Sequence, residues 1–325
     1  MNTLALQRPI GSGFGHRTTA AEVLSPAALG GADLTGFRAL VTGGYSGLGL
    51  ETVRALSAVG ALSVVPARRP AEAAAATAGL DGVSVWRMDL ADLDSVAATA
   101  DGLLAEGRSF DAVILAAGVA AVPETRVGAN WELHFAVNHL GHYALVNRVL
   151  PLLRPGARVV SVSSSGHHLS PVRWDDPQFT TGYDKWLAYA QSKTANALFA
   201  LHLDQLARDA GIRAFSLHPG EILTPLVRHL SRAEMVGLGW VDDHGTLVDP
   251  NFKTPQQGAA TQVWAATSPR LAGLGGLYLE DCDVALPAPA DGAQRGVREH
   301  AADPAQAERL WRLSAELTGV DAFSA

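Results

Sequence analysis

Short apolar runs alternate along this chain with longer stretches in which apolar residues recur at three- and four-residue spacing. The runs at 37–41, 61–66, 83–88, 112–116, 158–163, 213–217 and 276–279 are rich in Val, Leu, Ile and Ala and predict strands. Helical periodicity fills most of the gaps, at 48–59, 93–105, 131–153, 183–210 and 255–266, and returns at 304–317 in AERLWRLSAEL. Strands alternating with helices predict βαβ units, hence an α/β fold with one doubly wound parallel sheet of about seven strands and helices on both faces. No repeat, charge block or linker divides residues 37–285. Residues 1–36, rich in Gly, Ser, Thr and Ala, are expected to wrap that body as an irregular arm with one short helix, and 286–325 to form a C-terminal extension.

Composition narrows the function classes. With 325 residues, 48% of them hydrophobic, the chain can bury a large core without disulfides or structural metal. A net charge of −7 is not the footprint of a nucleic-acid binder. A single cysteine, Cys282, excludes an internal disulfide and a multi-cysteine zinc site. The N-terminus has no basic segment leading into an apolar one, and no uncharged apolar run reaches the roughly 18 residues of a membrane span. The expectation is a cytoplasmic protein without a membrane partner. Cations are almost all arginine, so the three lysines, Lys185, Lys193 and Lys253, are each worth locating.

The segment FRALVTGGYSGLGLET runs from an apolar strand through Gly43, Gly47 and Gly49 into a helix. Glycines there permit a tight turn and close backbone approach, while the helix N-terminus faces a pyrophosphate. No Lys-Ser/Thr pair follows, which excludes a nucleotide-triphosphate loop. At the first strand of an α/β alternation the pattern reads as a Rossmann-type dinucleotide site. A similar spacing at Gly11, Gly13 and Gly15 follows no strand and is assigned to a flexible arm. The second strand ends in Arg68 and Arg69, where an NAD site would usually carry an acidic residue for the ribose 2′-hydroxyl. Guanidinium groups match a phosphate in charge and fork geometry, so NADP(H) is favoured, with NAD(H) as the second possibility.

Tyr189 and Lys193 lie four apart in a helical stretch and therefore share a face. A tyrosine with a pKa near 10 is a poor proton carrier at neutral pH; a neighbouring ammonium stabilises the phenolate and lowers that pKa. Upstream, RVVSVSSSGH is a strand ending in serines, and strand carboxyl ends face the ligand crevice of a parallel sheet. His139, His142, His167 and His168 have no carboxylates arranged with them as in a metal site, and no metal is assigned. Trp174, Asp175 and Asp176 are read as shaping a loop.

These motifs in this order resemble the short-chain dehydrogenase/reductase family over roughly residues 36–285: TGGYSGLG, Met88-Asp89-Leu90, Asn138 in HFAVNHLGHYAL, Ser164 in VVSVSSSGH, Tyr189 and Lys193 in YAQSK, and LHPGEILTPL. The wording is closest to its retinol-dehydrogenase-like and WW-domain-oxidoreductase-like branch, bacterial members included. The resemblance implies that 37–285 is an NAD(P)-binding catalytic domain transferring a hydride between nicotinamide and a carbonyl or alcohol. It implies Tyr189 as acid/base, Ser164 polarising the carbonyl, Lys193 on the nicotinamide ribose, and Asn138 holding a water that relays protons to Lys193. Within Ser163-Ser164-Ser165 the middle residue is chosen. It further implies that Asp89 and Leu90 meet the adenine, that Ile222 and Thr224 meet the carboxamide end, and that Tyr45, Ser46, Leu48, Ala116, Ala117, Gly118, Pro219 and Gly220 line the cofactor.

Two departures stand out. The family's Asn-Asn-Ala-Gly is here Leu115-Ala116-Ala117-Gly118, and the asparagine usual before the serines is Ser161. The family's capping region corresponds to 226–251, where Met235, Leu238 and Trp240 suggest a lipophilic or aromatic substrate. The resemblance also implies a homodimer or homotetramer built from the helices carrying Asn138 and Tyr189. Two other readings use the same fold: a non-enzymatic NADP-sensing regulator, disfavoured because Asn, Ser, Tyr and Lys are all kept, and an epimerase or dehydratase working through transient oxidation.

Overall fold

The structure, a computed structural model, describes residues 3–324. Its strands are β1 (Arg38–Thr42), β2 (Leu62–Ala67), β3 (Val83–Arg87), β4 (Phe110–Leu115), β5 (Arg126–Val127), β6 (Trp131–Glu132), β7 (Leu153–Val162), β8 (Arg213–His218), β9 (Leu277–Glu280) and β10 (Asp283–Val284). Eight form one sheet in the order β10-β9-β8-β7-β4-β1-β2-β3, while β5 and β6 make a separate antiparallel ribbon. All pairings in the large sheet are parallel except β10 on β9, an antiparallel strand beyond the seven expected. From β1 the chain builds β2 and β3 to one side, then crosses to β4 on the other. The crevice at the carboxyl ends of β1 and β4 is therefore the topological switch point where such sheets bind ligands.

The helices are α1 (Ala20–Val23), α2 (Gly47–Ser57), α3 (Pro70–Ala76), α4 (Leu93–Glu106), α5 (Gly141–Val149), α6 (Lys185–Ala207), α7 (Arg232–Gly237), α8 (Pro255–Gly258), α9 (Ala260–Thr267) and α10 (Pro304–Thr318). Adjacent residues of the central strands point to opposite faces, so both faces must be covered. Val41, Ile114 and Val160 join α1, α2 and α9 in one core; Leu40, Val113 and Val159 join α4, α5 and α6 in the other. Among the described residues, no helix is long and apolar enough to cross a membrane.

Several expected boundaries move. The helix expected at 131–153 is four pieces: Trp131–Glu132 lie in β6, Phe135–Leu140 form a π-helix, α5 follows, and Leu150–Leu152 make a 3₁₀ turn into β7. It starts only after Glu132, whose carboxylate caps it by accepting the N–H groups of His134 (3.0 Å) and Phe135 (2.8 Å). Its end is forced by Pro151, which cannot donate to the helical ladder. Strand β7 begins five residues earlier than expected, because Leu153 pairs with Phe110 before a register shift. The helix expected from 183 starts at Lys185, since Asp184 caps it by accepting from Trp186 and Leu187 N–H.

Both chain ends lie on the body. In the arm expected to be flexible, Val23, Leu24, Leu29 and Leu34 are buried, and Ile10 and Ser12 donate their N–H groups to the Asp283 carboxylate at 2.8 and 2.9 Å. Arg17 donates to the carbonyls of Phe252 (2.9 Å) and Pro250 (2.5 Å). At the other end, α10 crosses α5 and α6. Trp311 stacks on Phe199 with planes 2° apart and meets Tyr143 edge-on at 4.8 Å. Ser314 donates to Leu310 O, so His139 Nε2 is the donor in their 2.7 Å contact. The helices expected to pair with a partner are thus covered there by the chain's own α10.

Candidate active site

A cavity of about 500 Å³ opens at the switch point. Its floor is the turn between β1 and α2. Gly43 has φ +70°, and a Cβ there would lie 2.9 Å from Ala117 Cα. A Cβ on Gly49 would lie 2.3 Å from Gly43 O, so only glycine lets α2 start this close to β1. Ser46 occupies the N-cap position of α2 without making a side-chain cap, which leaves the first N–H groups of the helix turned to the cavity. A dinucleotide's pyrophosphate fits this cradle of bare backbone.

The other expected cofactor residues surround the same space. Tyr45, Gly47 and Leu48 belong to the turn; Arg68 and Arg69 follow β2; Asp89 and Leu90 follow β3; Ala116, Ala117 and Gly118 follow β4; and Pro219, Gly220, Ile222 and Thr224 follow β8. Arg69 is paired with Glu72 at 2.9 Å, with both side chains more than half exposed. Among the described residues, Arg68 has no ion pair. The departure at Leu115-Ala116-Ala117-Gly118 is compensated from β1: Thr42 Oγ1 accepts the Ala117 N–H at 3.1 Å.

At the inner end Tyr189, Ser164 and Lys193 share the cavity wall. Helix α6 carries Tyr189 and Lys193, and the end of β7 carries Ser164. The Ser163 hydroxyl is instead engaged with the main chain, donating to Lys193 O at 2.7 Å. Lys193 is buried, donates to Val162 O at 2.9 Å, and lies 5.7 Å from the Tyr189 ring centroid. Burial pulls its ammonium down to about 8. Tyr189 departs from expectation: burial raises its pKa above the ordinary value, outweighing the lowering by the Ser164 hydroxyl. The ammonium is near the ring, but burial of the phenol outweighs what lowers its pKa.

Asn138 does not line the cavity. It is fully buried in the π-helix, behind the wall. Its carbonyl accepts His142 Nδ1–H at 2.9 Å, and His142 Nε2 meets Thr42 Oγ1 at 2.9 Å. Because burial drives the His142 pKa down to about 4, the ring is neutral and Nε2 accepts from the Thr42 hydroxyl. One oriented chain of hydrogen bonds therefore joins Ala117, Thr42, His142 and the Asn138 carbonyl. Sequence reasoning missed this link; its only signal was a histidine four residues after Asn138.

The region 226–251 contributes differently from expectation. Met235, Leu238 and Trp240 do not line the cavity; Leu226, Arg228 and His229 do. Trp240 instead packs edge-on against Trp186 at 6.4 Å and against Phe252 at 5.7 Å, tying this region to the start of α6. Val119, Val122, Leu133 and Val137 give an apolar wall that the sequence reading also missed. Of the other lysines, Lys185 pairs with Glu234 and the buried Lys253 with Asp281 at 2.5 Å.

Comparison with known proteins bears on the same span. Residues 38–235 match the family model described as short chain dehydrogenase. A protein named "Probable oxidoreductase" from Streptomyces lividans is 43% identical over 296 residues, covering 87% of this chain and 98% of that protein. Human "Retinol dehydrogenase 12" is 35% identical over 295 residues, covering 88% of each. Among solved structures, an uncharacterized protein from Mycobacterium Paratuberculosis superposes with a TM-score of 0.70 at 30% identity, covering 95% of this chain and 100% of that one. With a glycine turn, a switch-point cavity and a family match over most of the sheet, the chain belongs to the short-chain dehydrogenase/reductase family and is an oxidoreductase of that family.

Proposed function

We propose that this enzyme interconverts a lipophilic carbonyl compound and its alcohol with NADP(H), using Tyr189 as the group that gives and takes the proton. The observation that carries this reading is the meeting of Tyr189, Ser164 and Lys193 on one wall of the cavity floored by the glycine turn. A nicotinamide dinucleotide supplies or accepts the hydride when bound. Gly43, Gly47 and Gly49 would hold its pyrophosphate, Asp89 and Leu90 its adenine, and Ile222 and Thr224 its carboxamide end. Arg68 and Arg69 would hold a 2′-phosphate.

In the reducing direction Ser164 holds the substrate oxygen by its hydroxyl, and Tyr189 passes its proton to that oxygen as negative charge develops. The raised pKa of Tyr189 suits it to hold the proton until then. Lys193 places a positive charge beside the phenolate left behind. Asn138 fixes the loop at Val119, and its main-chain carbonyl accepts from His142 Nδ1–H. The apolar wall of Val119, Val122, Leu133 and Val137 supports a lipophilic substrate. A homodimer or homotetramer would need a surface other than the one α10 covers.

Replacing Tyr189 with Phe tests the reading. Turnover of ketones and aldehydes, followed by NADPH absorbance, is expected to fall about 10²–10⁴-fold with NADPH binding nearly unchanged. Full turnover in that variant overturns the assignment.

A further inference from the structure

His167 and His168 lie just past Ser164 in a 3₁₀ turn at Ser165–Leu169. The Ser164 carbonyl accepts from three donors: His167 N–H at 3.1 Å, His167 Nδ1 at 2.6 Å and the Tyr278 hydroxyl at 3.2 Å. A carbonyl cannot donate, so Nδ1 carries the ring proton. The other ring nitrogen, Nε2, receives the main-chain N–H of Arg298 at 3.2 Å and must be bare. His167 is buried and held as one neutral tautomer, its two nitrogens meeting partners of opposite kind, with the Tyr278 hydroxyl oxygen also 3.2 Å from Nδ1.

The Arg298 partner comes from the C-terminal extension, and it does not act alone. His300 Nε2 donates to His167 O at 2.9 Å, Arg298 Nε donates to His168 Nδ1 at 3.1 Å, and His168 Nε2 donates to Gly296 O at 3.0 Å. Meanwhile Ser164 Oγ accepts from Gly166 N–H at 3.0 Å, and its hydroxyl reaches Tyr189 on the cavity wall. Fixing the Ser164 carbonyl fixes the main chain from which that side chain springs, while the Gly166 N–H holds Oγ itself.

We propose that His167 is a positioning residue for Ser164, locked in its working tautomer by the main-chain N–H of Arg298, so that the C-terminal extension is part of the active-site scaffold. The proposal deepens the functional reading above and rests on Ser164 holding the substrate oxygen.

Arg298 has φ −73°, which proline adopts without strain, so Arg298→Pro deletes the N–H while Arg298→Ala deletes only the guanidinium. Ring-nitrogen NMR of His167 is expected to show the Nδ1–H form alone in the parent enzyme and in Arg298→Ala, and a mixture in Arg298→Pro. Arg298→Pro should lose about tenfold or more in kcat, with KM for NADPH moving less than about twofold, while Arg298→Ala stays well above it. An unchanged ring spectrum and kcat in Arg298→Pro, or an equal loss in Arg298→Ala, overturns the proposal. A second pair uses the ring itself. The Asn amide nitrogen can replace Nδ1 as donor and that of Phe cannot exist, so His167→Asn should exceed His167→Phe in kcat, and equal values overturn it. The tautomer is read without turnover, so it decides the Arg298 lock even if Tyr189→Phe defeats the functional reading.

Discussion

Asn138 grips Val119 as a neighbouring strand would: its Nδ2 donates to Val119 O at 3.0 Å, and its Oδ1 accepts Val119 N–H at 2.9 Å. The same Nδ2 donates to Ser192 Oγ at 2.9 Å, and Ser192 in turn donates to Tyr189 O at 2.7 Å. Asn138 thus ties the loop after β4 to the helix carrying Tyr189. Asn138→Leu leaves both buried main-chain groups of Val119 unpaired and should cost roughly 1–3 kcal/mol for each. Urea unfolding would measure this, and a loss near zero contradicts the account.

Gly49→Ala tests the cradle. Its Cβ would meet the Gly43 carbonyl at 2.3 Å, and neither backbone has room to yield without opening the turn. NADPH titration by fluorescence should show a Kd raised at least about tenfold, the equivalent of ~1.4 kcal/mol. Unaltered affinity would mean the turn does not hold the pyrophosphate.

Cofactor choice should rest more on Arg68 than on Arg69, because Glu72 already engages Arg69. Arg68→Ala is expected to lower kcat/KM for NADPH about tenfold while leaving NADH nearly unchanged, as loss of a charge-assisted hydrogen bond to phosphate requires. Equal losses with both cofactors would remove Arg68 from recognition of the 2′-phosphate.

Acid should unfold the protein early. Burial holds His139, His167 and His218 down at about 3 and His142 at about 4, against about 6.5 for an unfolded histidine. Between those values the unfolded chain binds more protons than the folded one, so stability rises with pH and is lost as pH falls below 6.5. Each such histidine contributes a slope of about 1.4 kcal/mol per pH unit. Lys193, lowered to about 8, acts with the same sign at the alkaline end, adding stability as pH rises from 8 toward its unfolded value. Melting temperatures from pH 7 to 4 would measure the acid limb; a flat profile there contradicts the neutral, buried assignment.

The alternation of apolar runs carried the sheet, because strands buried on both faces carry near-continuous apolar runs, as β1 does at 39–41 and β4 at 112–115. The glycine spacing and YxxxK carried much of the cavity, because backbone approach and a helix face are local properties. What stayed hidden depends on contacts far apart in sequence. Nothing near residue 131 announces that Glu132 will cap a helix by accepting the amides of His134 and Phe135. Nothing near His167 names Arg298, 131 residues away, as the donor to its ring. The apolar letters of Met235, Leu238 and Trp240 were misleading because apolarity does not say which surface a side chain covers; Trp240 went to Trp186 and Phe252. Likewise YxxxK placed an ammonium near Tyr189 but could not weigh it against the burial of the phenol.

Helix α10 laid over Tyr143 and Phe199 has a consequence for how the enzyme behaves in dilute solution. A catalyst that borrows its cover from a second copy loses that cover when copies grow scarce. Here the cover is tethered to the same chain, always at hand whatever the concentration. The cover over these two rings therefore does not depend on how many molecules are present.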